Sequence, residues 1–360
     1  MRLVWGRVVR VSEDLSAVQR LAVVLEQPEP DPAERVAVCF PDLSGRCASG
    51  DRVLLNTTAV GLGLGTGGED FVVARAGEGV ALDAPPVGHI MKLRYTPLQH
   101  DVVAVEEPAG EHRIMADARS LDGMPVVCCG LHSQVPIVAA AVKERFGDAR
   151  VVYVMTDAAA LPLAISRIVP DAVDAGFIDT TITCGQAFGG MLEAVNVYSA
   201  LLAARHVAAA DIILVGMGPG IPGTATPFGH GGVAQGEALN AVAALGGTPI
   251  AVLRLSFADP RPRHVPVSHQ SLTALADVAL RRSLVPVPVL GAERDRAIEH
   301  VLSAAGVPAR HDVRWVDVSA PDMRGLEVTT MGRRYGDDPA FFLAAAAAGA
   351  TAADGAKAQR

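Results

Sequence analysis

The sequence predicts an α/β protein in which a small N-terminal β-barrel-like domain is followed by a mostly parallel, doubly wound α/β domain. Three observations carry this. Up to about residue 75 the chain holds short β-like segments broken by turn residues; from about residue 125 an apolar run, a turn and a helical run repeat in series. The apolar runs of that second part are continuous rather than alternating, as strands are when helices cover both faces of a sheet.

The N-terminal segments are "RLVWGRVVRV", "AVQRLAVVLE", "ERVAVCF" and "DRVLLN", the last launched by the turn "ASGD". Between them "QPEPDP", with three prolines in 27–32, breaks the ladder and reads as a loop. A glycine-rich loop, "GLGLGTGG" at 61–68, ends the unit, and 76–90, with "DAPPVGH", connects it onward. The expected boundaries are 1–85 for the barrel and 86–349 for the Rossmann-like α/β domain, with a disordered tail over 350–360.

In the second domain "MPVVCC" leads to "QVPIVAAAVKERFG", "RVVYVMT" to "AAALPLAISRIV", and "IDTTITC" to "MLEAVNVYSALLAARHV". "DIILVG" leads to "AQGEALNAVAALGG", "PIAVLRLSF" to "SHQSLTALADVALRRS", and "VPVPVL" to "ERDRAIEHVLSAAG"; "DVRWVDV" closes the series. Such βα repeats imply right-handed crossovers and a mainly parallel sheet. "DPAFFLAAAAAG" reads as a terminal helix that Gly349 stops.

Composition narrows the function classes. Half of the 360 residues are hydrophobic, 19% are charged, and the formal net charge is −8 with no long basic run, so nothing resembles a phosphate-backbone track and nucleic acid is disfavoured. Apolar runs stop far short of the about 20 residues that span a bilayer. Arginines interrupt the N-terminal apolar stretch, so no signal peptide is read there, and a cytoplasmic protein without membrane partners is expected. The five cysteines include no C-x-x-C pair and read as reduced thiols, with Cys128 and Cys129 on opposite faces of one strand.

In an open α/β sheet ligands sit beyond the carboxyl ends of the strands. The loops there are 130–134, 156–162, 183–190, 216–232 and 258–269, and all are rich in glycine or polar residues. The fourth, "GMGPGIPGTATPFGHGG", places Gly218, Gly220 and Gly223 in a G-x-G-x-x-G pattern after a strand. The next helix does not start at Gly223, however, Pro219 and Pro222 lack N–H donors, and the following strand offers Arg254 and Ser256 where a ribose-binding acid would stand. Ordinary NAD binding is therefore disfavoured, and an anion-binding loop or mobile lid remains.

Two of the loops look alike: Phe-Gly-rich turns, including Gly189 and Gly190, precede Glu193 with Asn196 and Glu237 with Asn240. On helices, residues three apart share a face, so each pair would present a carboxylate and an amide for ribose hydroxyls or magnesium. For the glutamates alone, a place in a helical first turn beside free N–H groups is the plainer reading, and the paired asparagines, poor helix formers, count against it. Cys184 ends an apolar strand before a helix and is a candidate nucleophile, with His132 or His269 as its base; burial of an inert thiol, and an ordinary first-turn position for His269 after the N-cap Ser268, are the competing readings. Lys92 and Arg94 in "HIMKLRYTPLQHD" would share a strand face and meet an anion, or else protect an edge strand.

Taken together, "LNTTAVGLGLGTGG", "HIMKLRYTPLQ", "GMPVVCCGLHSQ", "EAVNVYSALLAA", "GMGPGIPGT", "QGEALNAVAALGG" and "SFADPRPRHVPVSHQSLTAL" resemble a bacterial family known as domain of unknown function 3866. The resemblance covers about residues 51–349, implies a bacterial protein of this length and lends no catalytic residue. The residues themselves support a small-molecule enzyme acting on a phosphorylated or nucleotide-like metabolite. A metabolite sensor or interaction scaffold is the alternative. The expected partner is that small anion, self-association into a homo-oligomer stays open, and the pattern names no metal or cofactor.

Overall fold

A computed structural model describes residues 1–26, 34–64, 67–77, 88–107 and 113–359. The proline-rich loop at 27–32, most of the connection at 76–90 and the expected boundary at 85/86 lie outside them. The chain divides into two compact units, Met1–Asp101 and Val102–Arg360.

In the first unit β1 (Leu3–Asp14), β2 (Gln19–Leu25), β3 (Arg35–Cys39), β4 (Arg52–Asn56) and β5 (Asp70–Arg75) close into a barrel in the order β1-β2-β3-β5-β4. Short helices α1 (Pro41–Ser44) and α2 (Thr58–Gly61) flank β4 in sequence. Alternate residues point inward, so Val8, Leu21, Val23, Ala37, Val53, Leu55 and Val72 fill the interior. Two further strands, β6 (Ile90–Lys92) and β7 (His100–Val102), form a separate ribbon. Here one expectation fails. Leu93 and Tyr95 take φ of 49° and 59°, which ends β6 at Lys92; Lys92 is buried while Arg94 is exposed, so the two cations do not share a strand face.

The second unit carries an eight-stranded sheet in the order β11-β10-β9-β12-β8-β13-β14-β15, every neighbouring pair parallel. Its strands are β8 (Pro125–Cys128), β9 (Val151–Thr156), β10 (Thr180–Cys184), β11 (Leu192–Ala194), β12 (Ile212–Met217), β13 (Thr248–Ala251), β14 (Leu284–Pro288) and β15 (Asp312–Val316). Helices α3 (Val135–Arg145) and α4 (Ile168–Asp174) cover one face; α5 (Val197–His206), α6 (Val233–Ala244), α7 (His269–Thr273), α8 (Ala292–Ala304) and α9 (Val307–Arg310) belong to the rest of the wrapping. Strand residues alternate between the two layers: Val152 and Val154 enter one core, Val151, Tyr153 and Met155 the other. Cys128 and Cys129 likewise part to opposite faces. This is the doubly wound architecture that continuous apolar strands require.

The C-terminal segment corrects the sequence reading. Helix α10 (Pro339–Lys357) runs through Gly349 and through most of the stretch expected to be disordered. Alanines on nearly every side allow it to be buried all round, and Gly349 is the point of closest approach to α3: a Cβ there would lie 2.5 Å from Val138 O and 2.9 Å from Ala141 Cβ. Glycine is present because the neighbouring backbone occupies its side-chain space. Gly349→Ala gains up to about 1 kcal/mol of helix propensity but overpacks at a cost of about 1–3 kcal/mol, so a net loss is expected in urea unfolding. Gly355→Ala, in open space on the same helix, is expected to stabilise.

Candidate functional site

The connection after β8 runs through α3 on one face of the sheet, and the connection after its neighbour β12 runs through α6 on the other. The carboxyl ends of these two strands therefore form a topological switch point, where a crevice opens in this class of sheet. The glycine-rich segment 216–232 leaves from there.

Hydrogen bonds join four of the rim loops, 130–134, 156–162, 183–190 and 216–232, into one continuous layer. His132 faces Met217 O at 3.1 Å and Ser166 Oγ at 2.7 Å. Ala160 N donates to Pro219 O, and Gly218 has no side chain because Ala160 O would lie 2.6 Å from its Cβ. Phe188 N donates to Leu161 O and Leu163 N to Phe188 O, which fastens 156–162 to 183–190. Asp157 accepts from Gln186 N at 2.9 Å beside Gly185, whose φ of 67° and lack of a Cβ let the carboxylate approach. Gln134 and Gln235 stitch the ends of β8 to the chain beyond β13, through Leu253 O and through Cys128 O and Val252 O.

The charged part of this rim lies after β13. Asp259, its side chain fully buried, accepts two hydrogen bonds from Arg261 at 2.9 and 2.8 Å, one from Arg333 at 3.1 Å and one from Arg254 at 3.4 Å. Arg333 also reaches Asp338, which accepts from Ser256 Oγ at 2.6 Å. Three guanidinium groups thus share two carboxylates, leaving a local excess of positive charge. Hydrogen bonds from Arg261 hold the Asp259 carboxyl well below its usual range, while burial and then Arg261 push the Arg254 guanidinium down to about 10.

Three imidazoles stand against these cations. His269 packs on His230 and His264 with ring centroids 5.0 and 5.2 Å away. Ser268 caps α7 by accepting from Gln270 N, and its hydroxyl also meets His264 Nδ1 at 2.7 Å. His230 Nε2 donates to Pro227 O at 2.9 Å, so Nδ1 carries the lone pair; it is buried without a partner among the described residues. Burial, followed by Arg254 and Arg261, drives His264 down to about 3. Burial, His230 and Arg263 lower His269, and burial lowers His230. All three rings are therefore neutral near pH 7. They offer lone pairs for proton transfer, whereas the nearby guanidinium groups repel a cation. Among the described residues, no group of three or more His, Cys, Asp or Glu is placed to hold a metal.

The residues singled out from sequence scatter around this cluster. His269 lies at its centre, and Gly223 bridges His230 across the neck of the glycine loop. Gly220 faces open space with φ of 84°. His132 is buried on the rim, both ring nitrogens engaged and its basicity lowered by burial to about 4. Cys184 is packed into the core, 2% exposed, with its thiol 3.6 Å from Met155 O. Gly189 N donates to Glu193 and Gly190 N to Thr183, so these glycines shape the β10–β11 turn.

The two Glu-Asn pairs do not form a shared floor. Glu193 sits in strand β11 rather than on a helix, and Asn196 is the N-cap of α5, accepting from Tyr198 N and Ser199 N. Glu237 is exposed on α6, and Asn240 holds the chain after α7 through Val278 O and Leu280 N. Strands β10 and β9 lie between β11 and β12, which keeps the two units from being neighbours in the sheet.

The sequence reading noted Arg254 but did not select Asp259, Arg261, Arg333 or Asp338. The motif "ADPRPRH" held a signal, an acid two residues before an arginine, the spacing of an Asx turn closed by Arg261 N on Asp259 at 3.0 Å. Arg333 and Asp338 come from the segment before α10, which gives no local sign of its destination. Two cavities of about 300 and 360 Å³ lie elsewhere, beside Tyr335 and Phe342 and beside Asp122 and Arg205; neither is lined by 216–232 or 258–269. At the cluster, His269 is half-exposed and Arg263 exposed.

No helix among the described residues is long and apolar enough to cross a membrane. Residues 36–349 match the model of a family described as protein of unknown function (DUF3866), and no curated protein or solved structure matches.

Proposed function

Because the chain belongs to the DUF3866 family, whose description assigns no reaction, its own residues must supply the functional reading, and we propose a small-molecule enzyme that takes an anionic, phosphorylated or nucleotide-like metabolite at the histidine–arginine cluster. One observation carries this: a neutral, half-exposed His269 stands beside guanidinium groups that a buried Asp259 fixes in place.

The physical sequence is direct. An anion docks against Arg263 and the outer edge of Arg261, where charge-assisted hydrogen bonds are strong. Its negative charge reverses the field at His269 and raises the affinity of the imidazole for a proton. His269 then accepts a proton from a substrate hydroxyl or a water, and the arginines hold the charge that develops on the substrate. A sensor would use the same arginines without needing the imidazole.

The test is a thermal-shift screen of nucleotides, sugar phosphates and small dicarboxylates, since a ligand of the native state raises the unfolding midpoint by mass action. Arg263→Ala, outside the Asp259 ion pairs, is expected to weaken each hit by about tenfold, as loss of one charge-assisted bond does. His269→Gln is expected to keep binding within about threefold and to cut turnover by about 10²–10⁴-fold. Hits insensitive to Arg263→Ala would move the site elsewhere; binding without any His269-dependent turnover would favour the sensor.

A further inference from the structure

The barrel holds a feature that the anion site does not use. Cys39 ends β3 and Cys47 lies in the turn between α1 and β4, and their sulfur atoms are 3.7 Å apart, with the Cys47 thiol donating to Cys39 Sγ. The pairing is enforced from outside. Gln19, buried opposite Cys39 in the β2–β3 ladder, accepts from Cys47 N at 2.8 Å and donates to Cys47 O at 3.2 Å, so its side-chain amide fixes the Cys47 segment beside the strand that pairs with Cys39. Both thiols are buried, yet Cys47 is flanked by exposed Arg46 and Ala48, one residue below the surface.

We propose that Cys39 and Cys47 are a peroxide-sensitive dithiol, a modification site in the barrel that closes reversibly to a disulfide. The thiols need to approach from 3.7 Å to the about 2.05 Å of a sulfur–sulfur bond, a change within reach of side-chain rotation. The surroundings prepare Cys39 to react first. The hydrogen bond from Cys47, with Ser44 and the charges of Arg46 and Arg75, brings the Cys39 thiol down to about 7 against the effect of burial, whereas Cys47 is pushed up. Thiolate character governs attack on peroxide.

The chemistry balances with hydrogen peroxide as oxidant. The Cys39 thiolate attacks one peroxide oxygen, the O–O bond breaks, and the leaving hydroxide takes up the proton that the Cys39 thiol had released and departs as water, giving the Cys39 sulfenic acid. Cys47 sulfur then attacks Cys39 Sγ, its proton passes to the departing hydroxyl, and water leaves as the disulfide forms. Two thiols have lost two electrons, and one peroxide has become two waters. A dithiol reductant reverses the change by thiol–disulfide exchange.

Tryptic cleavage makes the test unambiguous. Cutting after Arg35, Arg46 and Arg52 separates "VAVCFPDLSGR" (36–46) from "CASGDR" (47–52), so only a cross-link keeps them together. The reduced full-length protein is treated with stoichiometric peroxide, alkylated in denaturant and digested without reductant. The expected product is the joined pair, lighter by two hydrogens than the sum of its parts, lost on reduction, with Cys128, Cys129 and Cys184 recovered as alkylated thiols. In Cys47→Ser, dimedone is expected to trap Cys39 as its sulfenic acid. Recovery of both peptides separately alkylated, of Cys39 as sulfinic or sulfonic acid without a cross-link, or of a link to another cysteine overturns the proposal. None of these outcomes depends on the anion site.

Discussion

Asp259→Asn is expected to lower the free energy of unfolding by about 3–5 kcal/mol, the usual cost of leaving buried charges without their partner. Arg254, Arg261 and Arg333 converge on this side chain, and removing its charge leaves Arg333 with Asp338 and takes from Arg254 and Arg261 the carboxylate they share. Urea unfolding monitored at neutral pH gives the loss directly. Arg263→Ala, on the surface nearby, serves as the control and is expected to change stability by no more than about 0.5 kcal/mol. The nature of the loss can be separated from a packing defect. Sulfate or phosphate is expected to restore part of the stability of Asp259→Asn, because an anion bound against the guanidinium groups supplies negative charge in place of the lost carboxylate, while the same ionic strength of chloride restores less. A variant as stable as the parent would mean that the guanidinium cluster does not depend on its carboxylate.

Acidification is expected to destabilise the protein steeply between pH 7 and 4. Burial pushes His132 down to about 4, whereas in the unfolded chain it returns to its ordinary 6.5. Between these values the unfolded state binds a proton that the folded state refuses, so stability is full above about 6.5 and falls as pH drops. For His132 alone the loss from pH 7 to 5 is about 2 kcal/mol. His264, driven down to about 3, and the lowered His230, His269 and His311 act in the same direction. Carboxylates such as Asp259 add their own loss only at still lower pH. Denaturant midpoints across pH 4–8 give the curve, and His132→Gln is expected to flatten it by about one proton's worth of slope. A flat profile through this window would contradict the buried neutral histidines. Bound anion should shift the curve towards lower stability loss at mildly acidic pH, since it favours protonated His269.

The parallel strands were legible because their two faces are both buried, which leaves uninterrupted apolar runs such as "VVYVM" and "IILVG". The rim loops were legible for a related reason: they follow strand ends, where the fold gathers its polar groups. What sequence order does not express is lateral order. Glu193 and Glu237 follow each other in successive units, yet β9 and β10 separate their strands. The short strand that holds Glu193 is a three-residue edge addition to β10, too brief to announce itself before the stronger helical pattern of α5. Arg333 and Asp338 were missed because their position is set by α10 doubling back over the sheet, and alanine-rich "ATAADGAK" resembles a tail until the core of α3 that it covers is known. Asn196 shows the opposite failure: a residue read as lying within a helix, three positions after Glu193, stands at a helix start.

Strand β12 separates β8 from β9, although both precede it in the chain. During synthesis, therefore, the first βαβ unit cannot settle into its final pairing until more than sixty further residues have emerged; the two early strands must stay apart, or part again, to admit the latecomer between them. Contacts of such long sequence separation slow folding and lengthen the interval in which strand edges are unprotected. The centre of the sheet is consequently closed only after the β9–β10–β11 side has been made, and substitutions in β12 are expected to retard refolding more than equally destabilising ones in β15.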